Sequence, residues 1–203
     1  MPNIDINIAA AAPGMRAYSL DLLTEMVRLA GELGASGVVI GPGKANPLFP
    51  AEAEELLEHF FAALDRLCPV AEGAGTALWV ENIPFAFLPA IDDLMAALET
   101  YGNDAVRIVY DAANAYFIGE DLARGLERCR ERLALVHLSD TGQRTYRHAP
   151  VGEGTVPFVE LPSALAAAGY GARPMLEIIS RDPDRDIVAS ATKLAAMGFA
   201  IAE

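Results

Sequence analysis

The chain is predicted to be an α/β protein folded as a parallel (βα) barrel, and three observations point there. Short runs rich in Val, Ile and Leu recur at residues 4–9, 37–41, 77–81, 106–111, 134–138 and 174–179. Longer segments with helical spacing separate these runs. Four consecutive runs carry an ionisable side chain at or near their C-terminal end: Glu81, Asp111, His137 and Glu177.

Continuous apolar runs of this length suit strands buried on both faces. The intervening segments place apolar residues on one helical face, as in Leu23, Met26, Val27 and Ala30, or Leu57, Phe60, Phe61 and Leu64. Ser19 is expected as a helix N-cap, Pro50 in a first helical turn, and Gly34, Gly102, Gly169 and Gly198 at helix ends. Strands alternating with helices require right-handed crossovers and a parallel sheet. An open doubly wound sheet is disfavoured, because Gly41-Pro42-Gly43-Lys44 is too short for a phosphate loop and opens no helix. A TIM-barrel-like parallel barrel remains, as a single domain over residues 1–203 with no linker or low-complexity tract.

Composition excludes several functions. No run approaches the roughly 18 uncharged apolar residues of a membrane span. The N-terminal segment carries Asp5 and is broken by Pro13 and Gly14, unlike an export signal. Cys68 and Cys129 fall on separate helical segments, outside any metal-type cysteine cluster, and are read as reduced thiols. A soluble cytoplasmic protein is expected. The net charge of −13 opposes phosphate backbones, so nucleic acid is not an expected partner. Arg144 and Arg147 are the candidates for a local cationic groove.

In a (βα) barrel the C-terminal strand ends share one mouth, which would bring Glu81, Asp111, His137 and Glu177 together. Taken singly, each has an ordinary reading: a rim charge, a helix cap, a hydrogen-bonded core histidine. Four in succession are harder to explain that way, because charged groups are rarely buried unpaired. Three crowded carboxylates repel one another, and a divalent cation resolves the repulsion. Three oxygen donors and one imidazole suit Mn²⁺ first, with Mg²⁺, Co²⁺ or Zn²⁺ as alternatives.

The combination of Glu81-Asn82, Asp111, His137-Leu-Ser-Asp140, Gly152-Glu-Gly154 and Leu176-Glu177 resembles the xylose-isomerase-like superfamily of sugar isomerases and epimerases. The resemblance implies a single metal held by Glu81, Asp111, His137 and Glu177, with Glu81 and Glu177 also acting as acid and base on opposite faces of the substrate. It implies a sugar, keto-acid or cyclitol ketone as substrate, with a dehydratase sharing the first step. Two departures stand out. Asn114 replaces the His that many relatives carry three residues after the Asp ligand. Six βα units are expected where relatives have eight, with residues 4–9 resembling the third strand and the first two units missing. Self-association is therefore expected, with residues 1–16 near the interface.

Further substrate contacts are expected from His148 and Arg147 on the loop after the His137 strand, from Asn114, and more weakly from Lys44 and Trp79; Asp140 is expected as an outer partner of the metal ligands. His59, on a charged helical face, is expected outside the site. Two other functions compete. An endonuclease IV-like repair enzyme shares the barrel and resembles the Arg147-His148 and Gly152-Glu-Gly154 stretch, but it needs three metals. This sequence offers Asn114, Gly41 and Tyr146 where such an enzyme is expected to have His, His and Asp, and it has three histidines in all. A truncated, non-catalytic barrel is the other alternative, and the intact ligand set argues against it.

Overall fold

A computed structural model describes residues 5–200. They group into two compact units, one of residues up to Pro89 with Asp93–Arg107, the other of Ala90–Asp92 with residues from Ile108 onward. Five strands alternate with helices along the chain, as the apolar runs predict. No helix among the described residues is long and apolar enough to cross a membrane.

The first unit contains α1 (Pro13–Glu32), β1 (Val38–Ile40), α2 (Ala53–Ala74), β2 (Leu78–Glu81) and most of α3 (Ile91–Tyr101). β1 and β2 are parallel, with Val38 opposite Leu78 and Ile40 opposite Val80. These four side chains are buried, and α2 is the crossover that a parallel pair requires. Leu56, Phe60, Ala63, Leu64, Leu67 and Ala71 form the buried stripe of α2 at helical spacing. α1 lies close on α2: a Cβ on Gly31 would collide with the Ala74 carbonyl, so only glycine permits that approach.

Two helix starts differ from expectation. α1 begins at Pro13, whose fixed φ suits the first helical position, so Ser19 is an interior residue rather than a cap. Its hydroxyl donates to the Met15 carbonyl and accepts from the Asn7 amide. α2 begins at Ala53 after Glu52, which leaves Pro50 outside it.

The strand expected at residues 4–9 is also corrected: Ile4 lies outside the described residues, and Asp5 to Ala9 form no strand. Asn7 supplies the reason. Its side chain accepts from the amides of Ala9 and Lys44 and donates to the Lys44 carbonyl, at 2.8–3.0 Å. Local side-chain bonds of this kind replace a sheet ladder.

The second unit carries β3 (Arg107–Asp111) from Ile108 onward, α4 (Ala112–Phe117), α5 (Leu122–Cys129), β4 (Leu133–Leu138), a 3₁₀ turn (Phe158–Glu160), α6 (Leu161–Ala167), β5 (Met175–Leu176) and α7 (Pro183–Ala196). β3, β4 and β5 are parallel neighbours in that order. Tyr110, fully buried, faces α5, where a Cβ on Gly125 would strike the phenol. β5 is shorter than the run at residues 174–179. The Ile179 amide instead donates to the His148 carbonyl at 2.7 Å, because an isolated bridge between Asp140 and Ala149 folds the long loop back beside this segment. The thiols of Cys68 on α2 and Cys129 on α5 are free, and burial pushes the Cys129 thiol up to about 12.

Candidate metal centre

The parallel register of the second unit sets three expected ligands side by side. Asp111 ends β3 directly opposite His137 on β4. Glu177 follows β5, and its amide donates to the Leu138 carbonyl at 3.0 Å. It stands two residues beyond Met175, the register partner of His137, so strand alternation sends both side chains to one face.

One ligand atom from each of Asp111, His137 and Glu177 lies within 4.8 Å of the others. Nδ1 of His137 is 3.0 Å from Oε2 of Glu177 and 4.0 Å from Oδ2 of Asp111. The Asp111 side chain is 0% exposed, that of His137 6% and that of Glu177 30%, so the cluster opens to solvent through Glu177. Oε2 of Glu177 is buried and meets no hydrogen-bond geometry, with Nδ1 of His137 as its ionic neighbour. The imidazole still holds the Glu177 carboxyl below its ordinary value, against the opposing effect of burial. A buried carboxylate oxygen with no donor is costly. Two clustered carboxylates and an imidazole, with Oε2 of Glu177 unsatisfied, fit a divalent cation with oxygen and nitrogen ligands.

Asp111 performs two tasks at once. It is the N-cap of α4, with Oδ1 accepting from the Asn114 amide at 2.7 Å, while Oδ2 faces the histidines. The cap reading and the ligand reading of this residue are therefore compatible.

His148 reaches the same place from the loop. Its Nδ1 lies 3.7 Å from Oε2 of Glu177, 3.8 Å from Oδ2 of Asp111 and 3.0 Å from the Ser139 hydroxyl. Its Nε2 is 2.7 Å from the Tyr146 hydroxyl, which donates to Oδ1 of buried Asn114 at 2.7 Å. A phenol has one proton to give. With that proton on Asn114, Nε2 of His148 is the protonated nitrogen, and Nδ1 accepts from Ser139. The phenol ring packs on Phe117 and stands edge-on to His148.

Sequence reasoning missed Ser139 and treated Tyr146 only as an absent metal ligand. The signal was available in the spacing. Ser139 is two residues past His137, and Tyr146 two before His148, so extended backbone presents each pair on one side.

The other expected site residues lie as follows. Glu81 is buried at the end of β2 in the first unit, followed by buried Asn82. Asp140 is 1% exposed, and its carboxylate accepts from the amides of Thr141, Gly152 and Val156, which ties down the loop. Arg147 is exposed on the second unit. Lys44 borders a cavity of about 30 Å³ in the first unit, room for about one water. The Trp79 indole covers Gly37 so closely that no Cβ would fit there.

A family model described as xylose isomerase-like TIM barrel matches residues 1–197. The chain belongs to that family. Among relatives of this xylose isomerase-like chain is the L-ribulose-5-phosphate 3-epimerase UlaE of Shigella boydii serotype 18, 22% identical over 177 residues, covering 86% of this chain and 62% of the relative. Another is the probable endonuclease 4 of Oleidesulfovibrio alaskensis, 32% identical over 173 residues, covering 73% of this chain and 56% of the relative. The chain thus spans about three fifths of the length of these curated relatives. A solved structure of a D-tagatose 3-epimerase-like protein superposes with a TM-score of 0.82 at 23% identity, over 95% of this chain and 73% of that one. At that identity the likeness establishes the fold.

Proposed function

We propose that this chain provides the active site of a metal-dependent sugar isomerase or epimerase that moves a proton beside the carbonyl of a ketose, keto-acid or cyclitol ketone. The observation that carries this reading is the meeting of Asp111, His137 and Glu177 around a buried Glu177 oxygen that no hydrogen bond satisfies. In this proposal Glu81 is the fourth ligand, giving three carboxylates and one imidazole, and Mn²⁺ is the first candidate ion. When bound, such an ion supplies positive charge to the substrate's carbonyl and adjacent hydroxyl oxygens.

The remaining chemistry belongs to side chains. Glu177, the most exposed of the cluster in the second unit, takes a proton from the carbon beside the carbonyl, and Glu81 returns one from the opposite face. Asn114 offers an amide to a substrate hydroxyl but cannot transfer a proton. His148, held at both ring nitrogens, presents a fixed hydrogen-bonding edge. Arg147 contacts the far end of the substrate. Lys44 and Trp79 are the weaker candidates for substrate contact.

The likeness to endonuclease 4 favours a repair nuclease as the second reading. The side chains argue otherwise. Asn114 and Tyr146 stand where that reading needs His and Asp, and they hydrogen-bond to each other while Tyr146 also meets His148. At Gly41, the other expected His position, an added Cβ would come within 2.8 Å of Ile83.

Elemental analysis of protein purified without added ions, together with proton exchange from candidate ketoses in D₂O, tests the proposal. Near-stoichiometric metal with exchange at the carbon beside the carbonyl is the expected result. Metal-free protein that gains no activity from Mn²⁺, Mg²⁺, Co²⁺ or Zn²⁺ would rule it out.

A further inference from the structure

On the second unit an open groove of about 660 Å³ is lined by residues 146–150 and 179–181, with Glu153 and Asp186. Arg147 and Arg181 both line it, and neither side chain has a hydrogen-bonding or ionic partner among the described residues. Several other arginines on this acidic chain are matched: Arg28 with Glu25, Arg66 with Asp21, Arg124 with Asp92, Arg130 with Glu127. Of the groove's two acids, Asp186 is engaged, accepting from the Ser180 hydroxyl and paired with Arg185. Unpaired positive charge therefore exceeds unpaired negative charge there.

The groove adjoins the cluster through shared residues. His148 lines it while holding Nδ1 3.7 Å from Oε2 of Glu177. The Ile179 amide bonds the His148 carbonyl and joins the two walls. Arg181 follows Glu177 by four residues. One pair of chain segments thus carries both the proton-transferring carboxylate and the two free guanidinium groups.

We propose that this groove holds the anionic end of the substrate, a phosphate or carboxylate on a sugar, with Arg147 and Arg181 as its contacts. The inference rests on the epimerase reading of the cluster and narrows its substrate class. Guanidinium groups match the oxygens of both anions in a planar, two-pronged geometry. With a net charge of −13 the protein as a whole repels an anion, so capture needs local cations of this kind.

The test is calorimetric titration of the metal-loaded protein with D-ribulose 5-phosphate, D-fructuronate and uncharged D-ribulose. At least one charged ligand should bind roughly tenfold or more tighter than D-ribulose, the scale of one charge-assisted hydrogen bond. Preference for the first identifies a phosphate site, and preference for the second a carboxylate site. Arg147→Gln and Arg181→Gln should each weaken the charged ligands more than D-ribulose and so reduce the advantage, whereas Arg173→Gln, on the exposed segment before β5, should change nothing. Equal binding of charged and uncharged ligands, no binding of any of them, or loss of all three alike in the arginine variants would overturn the proposal. Proton exchange in D₂O, followed on the same samples, keeps the two readings apart. Exchange without a charge preference removes the groove assignment alone, and an arginine-dependent preference without exchange removes the epimerase reading alone.

Discussion

The phenolic oxygen of Tyr146 lies 2.7 Å from Nε2 of His148, and the same oxygen lies 2.7 Å from Oδ1 of Asn114. One side chain therefore orients an imidazole and an amide beside the carboxylates of Asp111 and Glu177. Tyr146→Phe keeps the ring packing on Phe117 and deletes only the hydroxyl. Turnover should fall about tenfold through loss of one buried hydrogen-bonding centre, while metal content stays the same. Steady-state kinetics beside elemental analysis checks this; a parallel loss of metal would make the tyrosine part of ion binding instead.

Asp111 is the N-cap of α4 and, in the proposed function, a metal ligand, and two substitutions separate the roles. Asp111→Asn keeps an acceptor for the Asn114 amide, so the metal-free fold should retain its melting temperature while metal affinity drops. Asp111→Ala loses the cap as well and should cost about 1 kcal/mol more in the metal-free state. Thermal melts with and without Mn²⁺ distinguish them, and equal metal-free stability would show that the cap contributes little.

Glu177→Gln retains an amide oxygen able to ligate but no group able to accept a proton. Turnover should fall on the order of a hundredfold or more, with a much smaller change in metal affinity. If metal binding and turnover fall together, Glu177 is a ligand only.

The Asp140 carboxylate receives three backbone amides from the loop that carries His148. Asp140→Ala strands buried donors and should destabilise the protein by about 3 kcal/mol. Gly154→Ala should be destabilising for a related reason, because its Cβ would strike Oδ1 of Asp140 and the Thr141 carbonyl. Denaturant unfolding gives the first number, and limited proteolysis should locate the new cleavage within residues 141–156.

Chelation should lower the melting temperature, and added Mn²⁺ should restore it. A hundredfold excess of ion over its Kd stabilises a site present only in the folded state by about 2.7 kcal/mol. A melting temperature indifferent to both treatments would argue against any ion at Asp111, His137 and Glu177.

The sequence by itself determined the alternation of strands and helices, and it marked strand-end ionisable residues such as Asp111 and His137. Both signals are local: apolar periodicity follows from backbone geometry, and a charge at the end of an apolar run stands out without coordinates. It also pointed to His148, through its place on a loop after such a strand. Tertiary structure decided the rest. Asn7 turned an apolar run away from strand pairing by bonding across to Lys44, 37 residues later in the chain. Asp140 went to the amides of its own loop, and Tyr146 was joined to Asn114 across 32 residues and to His148. These outcomes depend on which polar groups the folded chain places within hydrogen-bonding reach of a side chain, and strand periodicity carries no information about that.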